Sequence, residues 1–573
     1  MTVRLPPDLL GRFRARFERL YGSEADRCVS RLALLAGRYG VGPAGHTAGA
    51  RWDQRDAVLI TYGDMVQAPG EKPLATLKRF ADTRLQGAFS TIHLLPFFPY
   101  SSDDGFSVVH FRTVNPELGG WADVRALGES FKLVFDLVLN HVSRQSGWFH
   151  DYLTGTAPGR HYFIEADPKA DLSAVVRPRS SPLLTPVVTR AGARNVWTTF
   201  SADQVDLNFA NPDVLFEILD ILLFYVSMGA RIIRLDAIAY LWKKPGTPCI
   251  HLPETHEVVK LFRDLLEAVA PDVLLLTETN VPHAENVGYF GAGDEARLVY
   301  QFPLPPLILH ALRSGTARHL SGWAAALERP PAGCAFLNFS ASHDGIGLRP
   351  LAGLVPDAEI GRLIEEARAL GGGVSVIRGP DGGDRPYELN ISWFDALGGV
   401  PEEAQFARFL CSQAIPMALA GIPAVYFNSL LAAPNDLDAV RRTGVARAVN
   451  RRKWEEGELR TLLGDPGSAA ARALAALTGL LKLRGEHAAF HPDGAQRVLP
   501  GDARVFAVAR TAPDGSETVA ALHNCSPEAV AINEEWLRQA CPGAGRWTDL
   551  VAGRPAAGAG LGPYGFAWLR AGS

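Results

Sequence analysis

The chain is 573 residues long, 47% hydrophobic, with a formal net charge of -4. That length exceeds one ordinary domain, and that apolar content supports a sizeable buried core. The balanced charge, with no run of Lys or Arg, argues against a nucleic-acid or anionic-membrane partner. Six scattered cysteines without a CxxC pair argue against a zinc site and a disulfide scaffold. The first residues lack a signal-peptide pattern and no apolar run reaches membrane-spanning length, so a cytoplasmic setting is expected.

Residues 1–50 read as an N-terminal helical extension that caps the main domain. Leu9, Leu10, Phe13 and Phe17 fall at helical spacing, a second helix follows at 29–35, and 37–49 is a Gly-rich linker. From residue 57 short apolar runs alternate with longer amphipathic segments. The runs lie at 57–62, 89–95, 133–139, 230–235, 273–277, 298–302, 335–339 and 424–427. Helical segments at 74–83, 213–228, 254–269 and 403–420 sit between them. Alternating strand and helix implies a parallel sheet, and eight such units favour an α/β fold closed as a (β/α)8 TIM barrel. Two connections are too long for plain barrel loops, and both leave the strand ends where barrel active sites are assembled. The expected catalytic barrel is therefore 51–142, 206–344 and 401–486. Residues 143–205 form an inserted domain after the third strand, and 345–400 a lid or acceptor-loop domain after the seventh. From 487 to 573 the pattern turns all-β. Period-2 runs at 504–511 and 517–524 flank an Ala-Pro-Asp-Gly-Ser turn and predict a small sandwich-like C-terminal domain.

The stretch 231–240 organises the rest. Ile232, Ile233 and Leu235 belong to a strand covered on both faces. Arg234 and Asp236 share parity, so both leave the strand on the same side, and buried charges need a partner or a task. Three further strands end in polar residues: Asp136, Asn140 and His141 on the third, Glu278 on the fifth, His343 and Asp344 on the seventh. Any one of these could be a cap or turn former. Together, on strands whose ends meet, they point to a catalytic site.

The stretches DLVLNH (136–141), RIIRLDA (231–237), TETN (277–280) and SHD (342–344) resemble, in order, the four signature regions of glycoside hydrolase family 13, the α-amylase superfamily. The resemblance implies retaining chemistry at an α-glucosidic bond, with Asp236 as nucleophile, Glu278 as general acid/base and Asp344 stabilising the transition state. The chemistry demands these types: a carboxylate attacks the anomeric carbon from one face while an acid protonates the leaving oxygen from the other. Arg234 favours an ionised Asp236, and Leu274, Leu275 and Leu276 suggest an apolar setting that raises Glu278. His343 and Asp344 would grip the sugar's 2- and 3-hydroxyls, with His141 on the 6-hydroxyl side and Tyr240 among the substrate-binding residues.

PFFPYSSDDGF (96–106) is similar to the second barrel loop of sucrose phosphorylases and their close relatives. By that likeness Asp103 and Phe106 match an acid and an aromatic platform that close the pocket after one glucose, and Arg447 matches the acid's partner. This implies an exo-acting phosphorylase, with no cofactor and with inorganic phosphate as co-substrate, captured by candidates Arg177, Arg179 and Arg385. The chain departs from plain sucrose phosphorylases at Arg385, Tyr387 and Glu388, where they carry Asp at the first position and Leu-Tyr-Gln across 386–388. ASHDGIG, KKPGTPCIHLPETH and TETNVPHAENVGYFG look more like the glucosylglycerate and related phosphorylases. An added Arg suits a carboxylate acceptor such as glycerate, with sucrose or sucrose phosphate as neighbouring substrates. His256 and His283 read as loop or helix-cap residues. In many amylases the Asn matching Asn140 helps hold calcium. The sucrose phosphorylase-like branch usually lacks that ion, no loop here has calcium-ligand spacing, and no metal is assigned. The small α-glucoside and phosphate are the expected partners, and a homodimer is left open. Two alternatives stand beside this reading: a hydrolase or transglucosidase with the same three acids, and a non-catalytic sugar-binding protein on an amylase-like barrel.

Overall fold

The computed structural model describes residues 6–39, 51–378, 383–556 and 560–572. Most of the expected 37–49 linker and the tip of the loop at 379–382 lie outside the described residues. Eight parallel strands close into a barrel: β1 (Val58–Thr61), β2 (Thr91–Leu94), β3 (Lys132–Val138), β4 (Ala230–Asp236), β5 (Leu274–Thr277), β6 (Leu298–Tyr300), β7 (Ala335–Phe339) and β8 (Ile422–Tyr426). Neighbours in space follow chain order all the way round, and β8 pairs with β1. These are the eight expected runs, some trimmed and some extended by a residue or two at their ends. VLIT and LLLT, in β1 and β5, are buried at every position, as strands sandwiched between helices and barrel interior must be.

Helices Pro73–Arg84, Pro212–Ser227, Pro253–Val269 and Glu402–Ala418 surround the strands. The first three begin on Pro, which lacks only an N–H that a first turn would leave unbonded. The N-terminal helices, Pro7–Tyr21 and Ala25–Ala36, pack on the flank of two barrel helices. Phe17 stacks on Phe216 at 5.9 Å and Arg16 Nε donates to Asp264 at 2.6 Å.

Between β3 and helix Pro212–Ser227 lie helix Gly147–Thr154 and a hairpin of Leu184–Thr189 with Gly192–Trp197. Between β7 and helix Glu402–Ala418 lie helix Asp357–Ala369 and a three-stranded sheet of Ile346–Gly347, Asp384–Asn390 and Gly373–Arg378. Both segments leave the C-terminal ends of their strands, where the polar residues gather.

The C-terminal region differs from a sandwich. It is one six-stranded antiparallel sheet, beside a two-stranded ladder and helix Glu534–Ala540. Alternation along Val505–Thr511 explains why one sheet suffices. Phe506 and Val508 join the core shared with the barrel, while Val505, Ala507 and Ala509 face a small separate core around Trp536. The barrel helix thus stands in for a second sheet. Arg510 Nη1 donates to Ala418 O at 2.9 Å across that seam.

Candidate active site

Asp236 ends β4, Glu278 follows β5 by one residue, and Asp344 lies in the loop after β7. The register sets Asp136 of β3 beside Arg234 of β4, with both side chains pointing inward. Arg234 Nη1 donates to Asp236 Oδ1 at 2.8 Å and also to Asp136, whose other oxygen meets His93 Nε2 at 2.7 Å. All four residues are buried. Ala237, next to Asp236, adopts a left-handed φ of 58°. Its N–H donates to Glu278 Oε2 at 3.3 Å, so the strained turn brings the two acids together.

Burial pushes the carboxyls of Asp236 and Glu278 above the usual range, each despite the pull of Arg234. The two sense one another and behave as a pair. Arg234 donates to Asp236, whereas Glu278 receives only a backbone N–H, an inequality that favours the ionised form at Asp236. Arg234 does favour an ionised Asp236, as expected, but burial outweighs its pull. Burial would raise Asp344 too. Arg447, with help from His343 and Arg451, instead holds it well below the usual carboxylate range.

Arg447 Nη1 lies 2.6 Å from Asp344 Oδ1, while its Nε and Nη2 donate to the two oxygens of Glu388 at 2.8 and 2.9 Å. One guanidinium therefore ties the β7 loop to the inserted sheet. The guanidinium in ion-pair range of Asp103 belongs to Arg451, at 3.6 Å; it also contacts Asp104 at 2.9 Å and donates from Nε to His343 O at 3.0 Å. Phe106 stacks on His343, centroids 4.9 Å apart and planes within 5°. His141 Nε2 lies 2.9 Å from Phe106 O and 3.2 Å from Gln204 Nε2. Tyr240 is buried edge-on to Phe200. The Tyr387 hydroxyl accepts from Asn280 at 3.5 Å, and the Arg179 guanidinium lies 5.5 Å from the Tyr387 ring centre. Arg177 is half-buried in the inserted segment, and Arg385 is exposed on the hairpin, three residues from the buried Glu388.

Several neighbours escaped the sequence reading. Arg451, four residues past Arg447, looked like one more cation in an Arg-rich loop. His93 and Gln204 carried no motif. The Lys243 side chain is buried, with Nζ 2.5 Å from both Asn140 Oδ1 and Asp206 Oδ2; the stretch KKPGTPCIHLPETH stands out in the sequence, but no role is read there for this lysine.

A parallel eight-stranded barrel with its acids gathered at the C-terminal strand ends defines a barrel enzyme of the glycoside-active class. Residues 87–325 match the model of the alpha amylase catalytic domain. A glucosylglycerate phosphorylase of Allomeiothermus silvanus is 50% identical over 84% of this chain and 87% of its own. One of Spirochaeta thermophila is 46% identical over 95% of this chain and 94% of its own. The crystal structure of a sucrose 6F-phosphate phosphorylase from Thermoanaerobacter thermosaccharolyticum superposes with a TM-score of 0.72 at 26% identity, covering 82% of this chain and 94% of that one. The chain belongs to the α-amylase family, in its sucrose phosphorylase-like branch.

Proposed function

We propose that this protein is a retaining, exo-acting α-glucoside phosphorylase whose preferred donor is a small anionic glucoside such as glucosylglycerate. Asp236 attacks the anomeric carbon while Glu278 gives its proton to the departing oxygen. Phosphate then displaces Asp236 from the glucosyl-enzyme, with Glu278 receiving the proton back from the incoming phosphate, and α-glucose 1-phosphate leaves. Asp344, kept anionic by Arg447, lies where positive charge grows on the sugar ring. The observation that carries this reading is the unequal bonding of the two coupled acids, Asp236 held by Arg234 and Glu278 left free to hold a proton. Asp103, Asp104 and Arg451 form a charged wall at one end, which suits a pocket for a single hexose.

The relatives' names favour glycerate as acceptor, and the cations support it. Arg179 lies over Tyr387, and Arg179 and Arg349 both act on Tyr240. These two act on Tyr240, which Glu278 also reaches, without joining the Asp344–Arg447–Glu388 chain, and we assign them to the anion, phosphate or glycerate. In this reading the segments 143–205 and 345–400 are the walls of the acceptor side, and phosphate is a co-substrate rather than a cofactor. The test is sugar release from glucosylglycerate with and without phosphate, paired with an acceptor screen from α-glucose 1-phosphate. Phosphate-dependent α-glucose 1-phosphate release, and glycerate preferred over fructose, are expected. Free glucose formed equally well without phosphate would replace this reading with a hydrolase.

A further inference from the structure

Away from the strand ends, three metal-binding side chains meet on the outside of the barrel. His310 lies on helix Leu304–Ser314, His319 on helix Arg318–Ala326, and Glu359 in the first turn of helix Asp357–Ala369. Their ligand atoms all lie within 4.8 Å of one another. His310 Nε2 is 2.7 Å and His319 Nε2 3.6 Å from the same oxygen, Glu359 Oε2. The imidazoles stand edge to face, 5.2 Å apart. Arg362 approaches the other oxygen, Oε1, at 3.8 Å, which leaves Oε2 turned toward the histidines.

We infer that His310, His319 and Glu359 form a site for a borderline transition-metal ion, zinc above all, that fastens the 345–400 segment to the barrel. Two imidazoles and one carboxylate are the donor set of such ions and not of magnesium or calcium, which prefer oxygen throughout. Bonds of about 2 Å to each ligand give a tetrahedral edge of about 3.3 Å. The two distances to Glu359, 2.7 and 3.6 Å, bracket that edge, and the remaining separation is within 4.8 Å, so modest side-chain shifts seat the ion. His310 is fixed by burial, while His319 and Glu359 are partly exposed, which gives an entry path and room for water as a further ligand. Neither the chain spacing nor a short motif announces the site. Its ligands come from three helices, and the nearest two are nine positions apart.

The location gives the site its consequence. Helix Asp357–Ala369 packs on strand Gly373–Arg378, and that strand pairs with Asp384–Asn390, which carries Tyr387 and Glu388. An ion held by Glu359 and two barrel histidines would lock the base of the acceptor-side segment, remote from the bond-breaking acids.

The full-length protein is stripped with a chelator, then titrated with zinc chloride alone and separately with cobalt(II). One equivalent of zinc retained after desalting, a visible cobalt band of low-symmetry coordination and a rise in melting temperature are expected. His319→Ala and Glu359→Gln, at partly exposed positions, are each expected to weaken zinc binding by at least about tenfold and to abolish the melting shift. Wild-type protein that binds no zinc, or variants that bind it as well as wild type does, overturn the proposal.

Discussion

Glu278 and Asp236 share a buried space that tolerates one negative charge more easily than two. Replacing Glu278 with Gln is expected to lower kcat by about 10²–10⁴-fold, because the leaving oxygen loses its proton donor. The same change is expected to raise the melting temperature at neutral pH. The folded pKa of Glu278 lies above its unfolded value of about 4.3, so the folded protein binds that proton more tightly. Its support for folding is complete below that unfolded value and fades as pH climbs through the folded one. Above the unfolded value the unfolded chain sheds this proton more readily than the folded protein does, which already lowers stability at neutral pH, and an amide removes that penalty. Calorimetry of the two proteins across pH checks this, and a variant less stable than wild type at neutral pH would refute it. Arg447→Gln makes a second test. Arg447 lowers Glu278, so without it the acid keeps its proton to higher pH and the alkaline limb of kcat/KM moves upward. The loss also strands Glu388, buried beside no other cation in ion-pair range among the described residues, at a cost of about 3–5 kcal/mol. Adding Glu388→Gln should recover much of that stability while leaving the limb displaced.

At the scale of an element, the loop through Asp103, Asp104 and Gly105 is the most constrained part of the site. The three residues have φ of 54°, 48° and 109° in succession. Asp is among the few non-glycine residues that enter the left-handed region, still at a cost, and Gly105 is required outright, since a Cβ there would meet Pro96 O at 2.5 Å. The strain aims both carboxylates at Arg451. Gly105→Ala is expected to lower kcat/KM by roughly 10–100-fold through misplacement of that wall, with the circular dichroism spectrum unchanged. Kinetics equal to wild type would show that the wall does not bind sugar. The same loop shows where reading from sequence stops. The Asp-Asp-Gly turn was visible, and so was an Arg-rich segment some 340 residues on. Both guanidiniums act on Asp103 and Asp344, but beyond the 3-10 turn at Ala446–Asn450 Arg451 comes within ion-pair range of Asp103 while Arg447 lies nearer Asp344.

For the whole molecule, strands and their terminal acids were legible because period and parity are local properties. Arg234 and Asp236 had to share a face once the strand was recognised, and the barrel then had to gather the ends of β3, β4, β5 and β7. Contacts made between segments far apart in the chain left no such mark. The C-terminal sheet's reliance on helix Glu402–Ala418 was hidden, because an apolar face does not name what covers it. The N-terminal helices were expected to cap the barrel, but which barrel helices they would meet was hidden in the same way. Lys243 was hidden for a further reason: a buried ammonium is costly alone, and only the joint presence of Asn140 and Asp206 offsets the cost.

That lysine has a consequence of its own. The cation that Asn140 and Asp206 share is tethered to the chain by its own covalent backbone. It cannot be diluted, sequestered or exchanged, and it forms together with the polypeptide. The fold around Asn140 and Asp206 thus carries its own counter-charge wherever the chain folds.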